Sequence, residues 1–160
     1  MNVSPRLWLV VAGLVVLHFF LRLGLGLGGS APDLLVVALL IGARDLEAGG
    51  AAGTGFFFGL LEDAFSSLAF GSNALALVLV GALGARTRDL FVGDSVAFLA
   101  WYFLVGKFSR DLIHWLAVGD GLREPFVQAI LIDGVIAALY ATVAGMVAFI
   151  LSGARWEPPR

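Results

Sequence analysis

Glu62 and Asp63 stand side by side in a largely apolar stretch, at helical spacing behind Gly55 and Gly59. Adjacent carboxylates can exchange protons, hold a cation or pair with a buried base, and their neighbours in space decide which. The chain offers several such neighbours. Lys107, Arg110, Asp111 and His114 follow an i, i+3, i+4, i+7 spacing that puts all four on one helix face. His18 and Arg22 are four apart and share another face, while Asp33 and Asp133 stand alone in apolar surroundings.

Catalytic readings of these groups are weak. His18 and His114 are the only histidines, form no His-x3-His pair and have no cysteine to join them, so neither a metal site nor a cofactor is expected. Ser66, Ser67, Ser72 and Ser109 have no histidine at a motif-like spacing, and neither a Gly-x-Ser-x-Gly elbow nor a phosphate-cradling loop occurs. Asp63 with Asp133 would be the pair for an intramembrane aspartyl protease, but the flanking motif of such enzymes is missing. A non-enzymatic role is expected.

The elements that position these groups follow from composition. Of 160 residues, 60% are hydrophobic and 14% charged, and the mean hydropathy of +0.97 belongs to membrane proteins rather than soluble domains. The formal net charge of -2, with no long run of one sign, excludes a nucleic-acid surface; membrane lipid and other membrane proteins are the expected partners. Short charged or glycine-rich breaks divide the chain into a single transmembrane domain, 1–160, of six helices at about 7–28, 32–46, 50–69, 73–86, 93–118 and 125–151. The second and fourth are short for a bilayer that needs about 20 residues. Pro32 and Pro125 are expected in first helical turns, where a missing N–H costs nothing. The apolar stretch from Leu7 is longer than the usual signal-peptide core of about 7–15 residues and reads as a retained span.

Cytoplasmic termini put Arg6, Arg44, Arg86, Arg88, Arg155 and Arg160 inside and leave only Arg123 in an outer loop, the positive-inside pattern. That topology brings the polar residues to one depth. Arg22, Asp33, Glu62, Asp63, Asn73, Lys107, Arg110, Asp111, His114 and Asp133 all fall in the outer half. Lys107 lies about 14 residues into its helix, deep for a side chain that must reach the interface, so Glu62, Asp63 and Asp133 are its expected counter-ions. The plainer alternative has Lys107 and Arg110 snorkel outward while Asp111 pairs locally. For His18 and Arg22 the choice lies between joining this cluster and making an isolated polar contact. Gly49, Gly50, Gly53, Gly55 and Gly59, with Gly81 and Gly84, form small-residue faces suited to close helix packing.

Pro32-Asp33, then Gly55-x3-Gly59-x3-Asp63-x7-Gly71-x2-Ala74-Leu75, resembles the bacterial rod shape-determining protein family MreD, coarsely over the whole chain and more specifically over residues 32–85. The resemblance marks Pro32, Asp33, Gly55, Gly59, Asp63, Gly71, Ala74 and Leu75 as characteristic positions, with Glu62 an additional acid. It implies an inner-membrane scaffold of the cell-elongation complex, binding an MreC-like single-span protein. The wider assembly would include MreB, a SEDS glycosyltransferase and a class B penicillin-binding protein, and would support lateral peptidoglycan synthesis and rod shape. The family is similar in fold to the S-components of energy-coupling-factor transporters. That similarity raises the alternative of a vitamin-binding subunit whose outward pocket is lined by Arg22, Asp63, Lys107, Arg110, His114 and Asp133. The short outer segments around 69–73 and 119–124 favour the scaffold, because any outward function must then come from another protein.

Overall fold

The structure is a computed structural model that describes residues 5–25, 32–66, 69–87 and 96–152. It is all-helical, with no strand among the described residues. Among the described residues, six α-helices follow one another: α1 (Pro5–Phe19), α2 (Leu34–Ala43), α3 (Ala48–Asp63), α4 (Ser72–Thr87), α5 (Val96–Ala117) and α6 (Val135–Leu151). A π-helical turn, Phe20–Gly24, extends α1, and a longer π-helical segment, Val127–Gly134, leads into α6. With these extensions, Pro5–Gly24 and Val127–Leu151 are each long and apolar enough to cross a membrane. Their outer faces expose Leu9, Val16, Tyr140, Val143, Val147 and Ile150.

α2 is the centre of the bundle. Its sequence LLVVALLIGA is apolar all round, and a helix without a polar face must be enclosed by others. All ten residues are buried, and α2 packs against α1, α3, α4, α5 and α6. Its shortness reflects enclosure. The helix begins two residues later than expected, because Asp33 is its N-cap, accepting the Val36 N–H at 3.3 Å; Pro32 therefore precedes the cap instead of opening the helix.

α3 and α4 form the closest pair, and their glycines explain it. A Cβ on Gly55 would run into the Leu77 carbonyl, one on Gly59 into the Ala74 backbone, and one on Gly81 into the Ala51 carbonyl. Three glycines thus let two backbones touch, where dispersion and close packing replace bulky side chains. Gly53 faces open space and takes no part in this contact. α3 ends at Asp63, six residues short of the expected 69. Gly71, at φ +93°, makes the left-handed turn that starts α4, a conformation glycine adopts at little cost.

The expected end of the first helix at 28, the expected start of the fifth at 93, and Arg88, Arg155 and Arg160 lie outside the described residues.

Candidate functional site

The end of α1, the starts of α2, α4 and α6, the end of α3 and the second half of α5 meet at one end of the bundle, and the charged residues meet there with them. Glu62 is the hub. One carboxylate oxygen, Oε1, accepts from Arg22 Nη1, and Oε2 accepts from Arg110 Nη2 at 3.0 Å. Arg110 also donates to Asn73 Oδ1 and, through Nη1, to Asp111 Oδ1 at 3.2 Å. Lys107 donates to Asp111 one turn along α5. The N-cap of α2, Asp33, lies below them, with Oδ2 3.5 Å from Lys107 Nζ and 3.6 Å from Arg110 Nε. His18 Nδ1 stands 3.9 Å from Asp33 Oδ1, outside hydrogen-bond range.

Glu62, Asp63, Lys107 and Arg110 are buried, so these ions have left water and depend on one another, and His18 is buried beside them. Removing one partner from such a set typically costs about 3–5 kcal/mol, because the other charge is left buried and uncompensated. Arg22 is the exception, with 35% of its side chain exposed.

Several expected pairings are corrected. Lys107 pairs with Asp33 and Asp111, not with Glu62, Asp63 or Asp133. The depth of Lys107 in its helix favoured those acids, but Asp111 lies one helical turn away and the α2 cap brings Asp33 to the same ammonium group. Among the described residues, Asp63 meets no arginine or lysine. Its Oδ1 accepts the backbone N–H and the side-chain amide of Asn73 at 3.2 and 3.0 Å, and its Oδ2 accepts the Ala74 N–H at 3.0 Å. These are the first-turn donors of α4, which have no intrahelical acceptors and favour a carboxylate. Asp133, exposed in the π-helical segment before α6, accepts from Gln128 Nε2 at 3.0 Å, whereas Asp63 is buried against the start of α4, so the two form no dyad. Leu75 is half-exposed on the outer face of α4, whereas Ala74 is buried against Gly59.

Several open spaces adjoin the cluster or the helices that carry it, among them one of about 390 Å³ lined by Asp111, His114 and Trp115. A cavity of about 720 Å³ is bounded by His18 and Arg22 of α1, Pro32 and Asp33 before α2, Lys107 and Arg110 of α5, and Asp133, Ile136, Ala137 and Tyr140 of the final helix. His114 faces a smaller cleft of about 360 Å³, shared with Arg22, Glu62 and Asn73. Between α4 and α5 runs an apolar groove of about 550 Å³, walled by Leu83, Trp101 and Val105 and floored by Leu40, Gly84 and Gly106.

Sequence reasoning missed three participants. Ile136 and Tyr140 wall the 720 Å³ cavity, at i+3 and i+7 from Asp133, and that spacing was the available signal. Tyr102, whose hydroxyl donates to the Leu40 carbonyl at 2.9 Å, ties α5 to the central helix, and nothing in its apolar surroundings marked it. Comparison with known proteins finds no matching family model, no similar curated protein and no similar solved structure.

Proposed function

We propose that the chain is a non-enzymatic, multi-pass scaffold of the bacterial inner membrane. In this reading it binds an MreC-like bitopic protein within the cell-elongation complex that also contains MreB, a SEDS glycosyltransferase and a class B penicillin-binding protein. The observation that carries the reading is the use made of the motif acids: Asp63 is bound to the amides of Asn73 and Ala74, and Glu62 to two arginines. Each holds helices together, so neither stands ready as an acid or base. The membrane setting is supported by the two long apolar helices and by their exposed apolar faces.

A partner's single span would lie in the apolar groove between α4 and α5, where Gly84 and Gly106 lower the floor between Leu83 and Trp101. Small residues at such a surface permit close helix approach. Affinity capture of the tagged chain from bacterial membranes should bring down the bitopic partner in defined stoichiometry, and depletion should turn rods round. Failure of both would remove the scaffold reading.

A second reading, a small-molecule-binding subunit like an S-component, is favoured by the 720 Å³ cavity, which is within the range of ligand sites. A tightly bound vitamin in mass spectra of the purified protein would establish it in place of the scaffold.

A further inference from the structure

We infer that the outward face of α6, with Asp133 just before it, is the docking seam for one transmembrane helix of another protein, a helix that carries a lysine or arginine level with Asp133. The inference rests on the membrane setting and goes beyond the scaffold reading, since this face is separate from the groove between α4 and α5.

Spacing is the first observation. Asp133, Ile136, Tyr140, Val143, Val147 and Ile150 follow one another at alternating intervals of three and four residues, the repeat by which two helices interlock along a seam. All six are exposed, the five after Asp133 between 48% and 72%. Asp133, Ile136 and Tyr140 border the same cavity, so the shared face persists through the end of the π-helical segment in which Asp133 lies. The other side of the helix is already used. Ala138, Ala141, Gly145 and Ala148 are buried, and α6 packs against α2 and α5.

The polar residue in the seam indicates what covers it. Lipid accepts an apolar face without preference, but a carboxylate at membrane depth needs a partner. Asp133 lies eight residues beyond Pro125, and its hydrogen bond is to the neutral amide of Gln128. Among the described residues it makes no ion pair, because the cations that border the same cavity are taken: Arg22 by Glu62, Lys107 by Asp33 and Asp111, and Arg110 by Glu62, Asp33 and Asp111. Charge complementarity therefore calls for a cation on the neighbouring helix. Tyr140 adds a hydroxyl to the same line, near the middle of the Val127–Leu151 span instead of at an end, where tyrosines of membrane helices collect. A protein neighbour can bond it, and acyl chains cannot.

A second copy of this chain fits the seam poorly. Copies inserted in the same orientation would pair as parallel helices about a two-fold axis, which sets one Asp133 against the other. A different protein with a basic side chain at that level turns the same layer into an ion pair that fixes the register of the two helices.

The test places a photoreactive side chain at Val143 or at Val147 of the full chain in its native membrane, with Leu9, 73% exposed on α1, as the control off the seam. One other protein should be joined from both seam positions and not from Leu9, and its span should hold a lysine or arginine level with Asp133. Asp133→Lys should lower the yield about tenfold, and replacing the partner's basic residue by Asp should restore it. Thermal midpoints of the purified variants establish that they fold, and Asp133→Asn, a smaller change at the same exposed position, should lower the yield in the same direction. Products that contain only lipid, products that join two copies of this chain, or yields unchanged by Asp133→Lys and Asp133→Asn would each overturn the inference. The groove between α4 and α5 carries neither the photoreactive group nor these substitutions, so failure here leaves the scaffold reading to its own test.

Discussion

Asp63 Oδ2 accepts the backbone N–H of Ala74 at 3.0 Å, so the last residue of α3 caps the first turn of α4. Its other oxygen takes the N–H of Asn73, and the loop between the helices closes around Gly71. The acid thus does for α4 what an N-cap side chain usually does from within the helix itself, and it does so across the helix pair that packs most closely.

Asp63→Ala should therefore destabilise the fold by about 2 kcal/mol or more, because loss of the cap leaves three buried donors, the N–H and side-chain amide of Asn73 and the N–H of Ala74, without their acceptor. Asp63→Asn should cost less, since its carbonyl oxygen still accepts one N–H. Thermal unfolding in detergent, followed by circular dichroism, checks the order of parent, Asn and Ala. Equal midpoints for Asp63→Ala and the parent would remove the cap from the account.

The glycines predict a contrast within one helix. Gly59→Ala places a Cβ against the Ala74 backbone, which cannot rotate away, and should destabilise by about 1–3 kcal/mol, as overpacking does. Gly53→Ala meets nothing within 4 Å on the same helix, and should stabilise by up to about 1 kcal/mol through helix propensity. Opposite signs from the same substitution, measured in one unfolding assay, would locate the α3–α4 contact at Gly59. Matching signs would place it elsewhere.

Much of this arrangement was legible in the sequence, because chain reversal at each break alternates the helix ends and fixes which residues share a depth. Arg22, Asp33, Glu62, Asn73 and Arg110 were grouped on that basis, and they meet. Pairing within the group was not legible. Whether Lys107 reaches Asp33 or Asp133 depends on lateral order around α2, and hydropathy carries no information about which helices are neighbours. The enclosure of α2 was hidden for a related reason. Ten apolar residues look the same whether lipid or protein surrounds them, and only packing against five other helices distinguishes the cases. The early end of α3 was masked by continued apolar sequence after Asp63, where capping of α4 took precedence over helix continuation.

Glu62 and Arg22 should respond unequally, although they are bonded to each other. Glu62→Ala leaves Arg110 buried without its main acceptor and should cost about 3 kcal/mol or more. Arg22, with 35% of its side chain exposed, can be replaced by water, and Arg22→Ala should cost about 1 kcal/mol or less. A double variant, Glu62→Gln with Arg110→Gln, should cost less than the sum of the two single losses, because the Glu62–Arg110 pair is removed together, while Asp33 and Asp111 keep Lys107. Chemical unfolding of the single and double variants measures the coupling. Additive losses would show that the two residues act independently.

The groove between α4 and α5 tests the scaffold reading at residue level. Leu83 and Trp101 are exposed on its rim, at 50% and 64%, so neither supports the monomer's core. Leu83→Trp should fill the groove and leave the unfolding free energy within about 0.5 kcal/mol of the parent, as surface substitutions usually do. Capture of a bitopic partner should nevertheless fall about tenfold or more if its span occupies the groove, which corresponds to a loss of about 1.4 kcal/mol in binding. Trp101→Ala should act in the same direction by removing an aromatic anchor, and interface anchors of that type are worth about 2 kcal/mol or more. Full partner recovery with both variants, at normal protein levels, would exclude this face and direct the search to the exposed apolar surface of α6.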